Sequence, residues 1–180
     1  VAVTGVLAPQ EELVLGLEVA GRLLTLSVDV GDVVPAGAVV AALAPRQFEL
    51  EVARSKAVVV AAEARLGSVD DGDLDRFDVE TAPAVREATA VVTEATLNRE
   101  RVATMVRGEL QSDAQLEAAV ASLAVAESRL SRARDDVRTW LAEARLARVE
   151  LEQAQKRVTD SVVKAPWNGR IAQRHVVAGQ

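Results

Sequence analysis

The 180-residue sequence has no cysteine, no tyrosine and a single histidine, His175. Only four aromatic rings occur in it: Phe48, Phe77, Trp140 and Trp167. Without cysteine there is no disulfide framework, no thiolate metal ligand and no thiol nucleophile, and one histidine cannot build a classical zinc site. Scarcity of rings is as informative, because a compact core of this size normally uses several of them, each burying much area for little entropy. Ala and Val carry the 49% apolar content instead. Alanine is the best helix former and lets helices approach closely, so the composition argues against a conventional globular enzyme and for long, thin helical packing. Basic residues are outnumbered 21 to 27, for a net charge of -6, which disfavours a nucleic-acid partner held by phosphate contacts. Long apolar runs are missing too; stretches such as Val58 to Ala62 cannot span a bilayer. Val1 is not followed by a basic start and small-residue cleavage pattern. A signal or anchor of an exported parent would therefore lie outside residues 1–180, a length that suits one ordinary domain, two small ones or a fragment.

Residues 1–45 read as short strands: Leu13 to Leu15, Gly21 to Leu24, Leu26 to Val30 and Val39 to Leu43, with turns at Gly31-Asp32 and Pro35-Ala36-Gly37. Pro45 closes this block. From Arg46 the period changes, with Phe48, Val52, Val59 and Leu66 near helical spacing and no Gly or Pro before Gly67, which predicts a helix of about six turns. Residues 67–83 carry two Gly, one Pro and many Asp, the signature of an exposed loop. Asp71, Asp73 and Asp75 alternate as calcium ligands can, but the required Gly at the sixth loop position and Glu at the twelfth are missing. The segment reads as solvated acidic loop. Beyond Pro83 a second helix is predicted from Ala84 to about Val106, on Val85, Ala88, Val92, Ala95 and Val102.

A third run shows the clearest pattern. Leu116, Leu123, Leu130, Val137, Ala144, Leu151 and Val158 recur every seven residues, and Ala119, Ala126, Ala133, Trp140, Ala147 and Ala154 recur every seven, offset by three. This unbroken a/d register implies a helix roughly 70 Å long. One row is large and the other almost all Ala, which suits close antiparallel packing, with Trp140 as a local wedge. Between the second and third runs, Gly108 can end one helix through a left-handed cap, and Ser112 with Gln115 forms a capping-box start for the next. So short a connection makes the two helices antiparallel neighbours. The first two helices together match the returning helix in length, so it packs back along both.

After Val158 strands return: Ser161 to Pro166, a turn at Trp167-Asn168-Gly169, then Arg170 to Val177. Asn-Gly is a strong hairpin signal. The helical hairpin thus begins and ends at β segments that must lie side by side. The organisation expected is residues 1–45 as one β half, 46–160 as the α-helical hairpin with its loop at about 67–83 and tip at about 107–113, and 161–180 as the second β half.

These residues resemble the periplasmic adaptor subunits, or membrane fusion proteins, of tripartite efflux and secretion systems. Val28-Asp29-Val30-Gly31-Asp32 through Ala41-Ala42-Leu43 is similar to the first half of a biotinyl/lipoyl-like domain. Val163-Lys164-Ala165-Pro166-Trp167-Asn168-Gly169-Arg170-Ile171 is similar to its second half. The resemblance implies an α+β fold, a long antiparallel coiled-coil hairpin inserted between two halves of a lipoyl/biotinyl-like β domain. It implies a non-enzymatic adaptor, periplasmic and associated with the inner membrane through segments outside these residues, which links an inner-membrane transporter to an outer-membrane channel. It also implies that the hairpin tip docks to that channel through an Arg, an apolar residue four positions on and a Ser seven after that, here Arg101, Met105 and Ser112. Met105 replaces the usual Leu at similar volume. A tip this small binds weakly alone, and avidity from a ring of adaptors compensates; the resemblance implies self-association as a hexamer.

Other roles are weighed against these. Arg101 can be a surface charge, Met105 a core filler and Ser112 a helix cap. In true lipoyl or biotinyl carriers a Lys in the tight turn holds the prosthetic group; here no Lys lies between Leu43 and Arg54, so Lys56 and Lys164 read as solvated and no cofactor is expected. Trp167 reads as packing the β module rather than binding a ligand. His175, on a strand with Arg170 and Arg174, has no sequence partner for catalysis. No catalytic, cofactor or metal residue is assigned. A carrier domain with a helical insertion and a coiled-coil scaffold without a channel partner are the competing functions.

Overall fold

The computed structural model describes residues 11–67, 73–177 and 179. Three short strands, β1 (Leu23–Leu26), β2 (Val33–Val34) and β3 (Val39–Leu43), lead into helix α1 (Arg46–Leu66). A 3-10 turn (Val79–Thr81) precedes α2 (Pro83–Arg107), which is followed by the 48-residue α3 (Asp113–Asp160) and by strands β4 (Val162–Lys164) and β5 (Gly169–Arg170). Among the described residues no helix is long and apolar enough to cross a membrane. The chain divides into two compact units, 1–53 with 152–180, and 54–151.

In the first unit, two β segments far apart in sequence form joint sheets. β3 is central, antiparallel to β1 on one side and to β4 on the other, and β2 pairs antiparallel with β5. Alternation sets the faces: Leu23, Ala41 and Leu43 point into a core with Phe48 from the start of α1, against which Val19, Val158 and Val163 pack. A second cluster joins Val34, Val40 and Ala165, with Val28, Ala38 and Ile171 against it. Backbone bonds stitch the halves: Gly37 N–H to the Ala165 carbonyl at 2.7 Å, Ala165 N–H to Ala38 at 2.9 Å, Gly31 N–H to Ile171 at 2.8 Å and Ile171 N–H to Asp32 at 2.9 Å. Gly31 (φ 95°) and Gly37 (φ 81°) supply the left-handed turns that bring these donors round, which a side chain would resist. At the foot of the helices Arg157 pairs with Glu51.

Strand limits differ from the sequence expectation in two places. Leu13 to Leu15 is not a strand and is exposed, and one strand, β1, straddles the predicted break at Thr25. The Asn-Gly turn does not make a hairpin, because β4 and β5 belong to different sheets. Pro166, without an N–H, ends the β4 ladder, and the Trp167-Asn168-Gly169 bend carries the chain from β3 across to β2. Asn168 uses its side chain there, its Oδ1 accepting the Ala36 N–H at 2.8 Å. Residues 171–177 carry no strand.

The second unit holds α2 and the greater part of α1 and α3. Every heptad position from Leu116 to Val158 on α3 is buried or half-buried, as the a/d reading requires. Its core joins Leu66 of α1 and Val85 of α2 to Leu130, Val137, Leu141 and Ala144 of α3, with Trp140 packed against it. Leu141, one position beyond the heptad, is buried as well and widens the apolar stripe. Ion pairs fix the antiparallel register at the edges of the seam: Arg65 with Glu143 at 3.1 Å, and Arg148 Nε with Glu63 at 2.8 Å.

The expected exposed loop at 67–83 is corrected in its second half. Leu74 and Ala82 are each only 2% exposed, and both belong to the main core of this unit with Phe77 and Val79 packed against it. The physical reason lies on α3: between the stretches covered by α1 and α2, the apolar surface of Val137, Trp140, Leu141 and Ala144 would otherwise face water. Asp78 caps the 3-10 turn by accepting the Glu80 N–H at 3.0 Å, and Arg134 grips Glu80 with two guanidinium nitrogens, Nε at 2.8 Å and Nη2 at 3.0 Å. Gly67, at φ 87°, meets Pro83, whose Cδ would lie 2.9 Å from any added Cβ. The two ends of the insertion therefore touch.

Candidate docking site at the hairpin tip

Arg101 and Met105 lie on the last two turns of α2, four residues apart and so on one face. Arg101 is exposed and has no ion pair or hydrogen bond among the described residues. Its neighbours differ: Arg107 folds back onto the Ala103 carbonyl at 3.3 Å and the Thr104 hydroxyl at 3.2 Å, and Arg99 pairs with Glu100 at 3.7 Å. Met105 is 37% exposed.

The end of α2 is a Schellman motif, in which the Leu110 N–H reaches back to the Met105 carbonyl at 2.9 Å and the Glu109 N–H to Val106 at 3.0 Å. Gly108 is not its left-handed residue, as the sequence suggested; it has φ -89°, and Glu109 takes φ 58° instead. Since α2 runs to Arg107, Gly108 is the half-helical cap, and the motif demands the left-handed turn one position later. This geometry turns Leu110 outward, 77% exposed. Leu110 was missed by sequence reading. Its signal was there, an apolar residue inside an otherwise polar five-residue connection.

Ser112 begins α3. Its backbone N–H donates to Gln115 Oε1 at 3.1 Å, one arm of the expected capping box, while the Gln115 N–H goes to the Ser112 carbonyl at 3.0 Å. The Ser112 hydroxyl is exposed and without a partner among the described residues. The tip thus presents a free cation, a thioether, a leucine and a hydroxyl. That set can bind a surface with acidic, apolar and hydrogen-bonding groups and has no nucleophile and base arranged for catalysis.

Away from the tip, Trp167 is 42% exposed and stands outside the core clusters, contrary to the expectation that it packs the β module. Lys56 and Lys164 are exposed, on α1 and β4, and His175 is exposed. Of the three alternating aspartates, Asp71 lies outside the described residues. Asp73 accepts the Asp75 N–H at 3.0 Å, and Asp75 pairs with Arg145 at 3.3 Å. Among the described residues no three potential metal ligands cluster.

No protein-family model matches the sequence, and no curated protein does. Solved structures match the fold. The periplasmic adaptor protein EmrA is 18% identical with a TM-score of 0.51, over 92% of this chain and 67% of its own. MacA from Actinobacillus actinomycetemcomitans is 17% identical with a TM-score of 0.50, over 95% of this chain and 45% of its own. The chain therefore spans about two thirds of the one and less than half of the other. With three long helices, small antiparallel sheets and this likeness, the chain has the fold of the periplasmic adaptor, or membrane fusion, proteins.

Proposed function

We propose that this chain is the hairpin and lipoyl-like part of a periplasmic adaptor that links an inner-membrane transporter to an outer-membrane channel for efflux or secretion. The observation that carries this is the joining of β3 with β4 and β2 with β5 across the whole length of a heptad hairpin. A carrier domain closes those strands with a tight turn bearing a lysine. Here an antiparallel helical pair takes the place of the turn, and every lysine sits on a helix or a strand. Residues 1–45 and 161–180 are the two halves of the β domain, and residues 46–160 are the inserted hairpin.

In this reading the hairpin supplies reach and its tip supplies recognition. Arg101 offers an unpaired guanidinium to a carboxylate or carbonyl of the channel, Met105 and Leu110 an apolar contact, and Ser112 a hydroxyl. Few groups make the contact, so a ring of adaptors supplies avidity. The work of transport belongs to the inner-membrane pump, and the adaptor acts in the periplasm without catalysis. Capture of the purified outer-membrane channel of the source organism tests this: binding by the wild-type chain and loss in Arg101→Asp are expected. Equal capture by both would remove the tip from the docking surface.

A further inference from the structure

Met105 is the only sulfur-bearing residue in a chain with one Met and no Cys. It is 37% exposed, in the last turn of α2, and its carbonyl accepts the N–H of the outward Leu110. One turn earlier stands Arg101, exposed and unpartnered among the described residues, while Arg99 and Arg107 are both engaged. Residues four apart on a helix have Cβ atoms about 5–6 Å apart, within reach for long side chains.

We propose that Met105 is an oxidative modification site, and that its sulfoxide engages Arg101 and switches the tip off. The oxidant is a hydroperoxide. A sulfur lone pair attacks one peroxide oxygen as the O–O bond breaks. The sulfur gains that oxygen and loses two electrons. The departing hydroxide or alkoxide takes the proton carried by the transferred oxygen and leaves as water or alcohol. Sulfoxidation turns a flexible apolar side chain into a polar one with a strong acceptor oxygen. A guanidinium is a multiple donor with no acceptor of its own, so the new oxygen and the free Arg101 are complementary. A single oxygen transfer therefore removes an apolar contact and occupies the neighbouring cation. With no thiol in the chain, peroxide has no faster sulfur to consume it first.

This inference rests on the docking role of the tip for its consequence, but not for its chemistry, and the experiment separates the two. The full chain is treated with dilute hydrogen peroxide and the peptide 102–107 followed by mass spectrometry. One added oxygen on Met105, at the rate of a methionine in an unfolded peptide, is expected; oxidation slower by an order of magnitude overturns the assignment. In the same samples the Arg101 side-chain Nε–H resonance should move on oxidation of the wild type and stay put in Met105→Leu. No movement in the wild type overturns the pairing with Arg101. Capture of the purified outer-membrane channel should weaken about tenfold for the oxidised chain and for Met105→Gln, the effect of losing one buried apolar contact. Capture by Met105→Leu, whatever its own affinity, should be the same before and after peroxide. Equal capture by oxidised and reduced wild type overturns the switch. Failure of the reduced chain to bind overturns the docking role instead, and leaves the first two readouts to decide the modification.

Discussion

Asn168 accepts the Ala36 N–H at 2.8 Å across 132 positions of sequence, tying the turn of one β half to the turn of the other. The asparagine stands where a hairpin turn was expected, and its side chain is spent on the partner half. Replacing it by Ala leaves a backbone donor to water. Asn168→Ala should lower stability by about 1 kcal/mol, the net worth of one such bond, measured as a shift in urea midpoint at unchanged slope.

Leu74 gives a sharper test of the insertion before α2. A leucine in a solvated loop changes stability by about 0.5 kcal/mol or less when truncated, whereas Leu74, 2% exposed against the α3 seam, falls in the core class. Leu74→Ala should cost about 2–5 kcal/mol in chemical denaturation. A neutral result would return the segment to solvent.

Glu109 holds a left-handed conformation that disfavours residues with a Cβ, at roughly 1–2 kcal/mol. Glycine is free of that strain but loses more chain entropy on folding. Glu109→Gly should therefore raise stability, by about 1 kcal/mol or less, and Glu109→Val should lower it. Thermal unfolding of the two variants side by side checks the sign.

The Glu80–Arg134 pair predicts an acid dependence. The Arg134 hydrogen bond holds the Glu80 carboxyl below its ordinary value, and Arg134 is itself raised by Glu80. A depressed carboxyl pKa contributes stability above the unfolded-state value, and loses it as pH falls through the folded one. The wild-type advantage over Glu80→Gln should therefore be intact at neutral pH and shrink below about pH 4, the ordinary range of a glutamate. Both side chains are solvent-exposed, so the effect is small and salt should weaken it. Thermal melts against pH at two salt concentrations read it directly.

The helices were legible because repetition carries them. A seven-residue pattern sustained from Leu116 to Val158 leaves one way to bury the seam, and α1 runs from Arg46 to Leu66 as periodicity indicated. Spacing and resemblance single out Arg101, Met105 and Ser112, but not their exposure: nothing in the sequence separates Arg101, without a partner among the described residues, from Arg99 and Arg107, which are engaged. The strands were read less well. Two-residue ladders such as β2 and β5 have no period to detect, and their pairing depends on residues brought together by folding. Leu74 and Phe77 hid among aspartates, where composition outweighed the need of α3 for cover. Leu110 and the turn at Glu109 depend on where α2 stops, and a shift of one residue there changes which residue is left-handed.

The bond from Leu43 N–H to the Ser161 carbonyl, 2.9 Å long, has a consequence for how such a chain can change length. β3 is followed almost at once by α1, and β4 follows α3 directly, so strand pairing clamps the starting phase of both arms like the zero mark of a vernier. One residue added within α3 rotates everything beyond it by about 100° and carries the alanine row away from its partners. The continuous helix α3 keeps its seam in place only when it lengthens or shortens by whole heptads. Each such step changes the helix by about 10 Å.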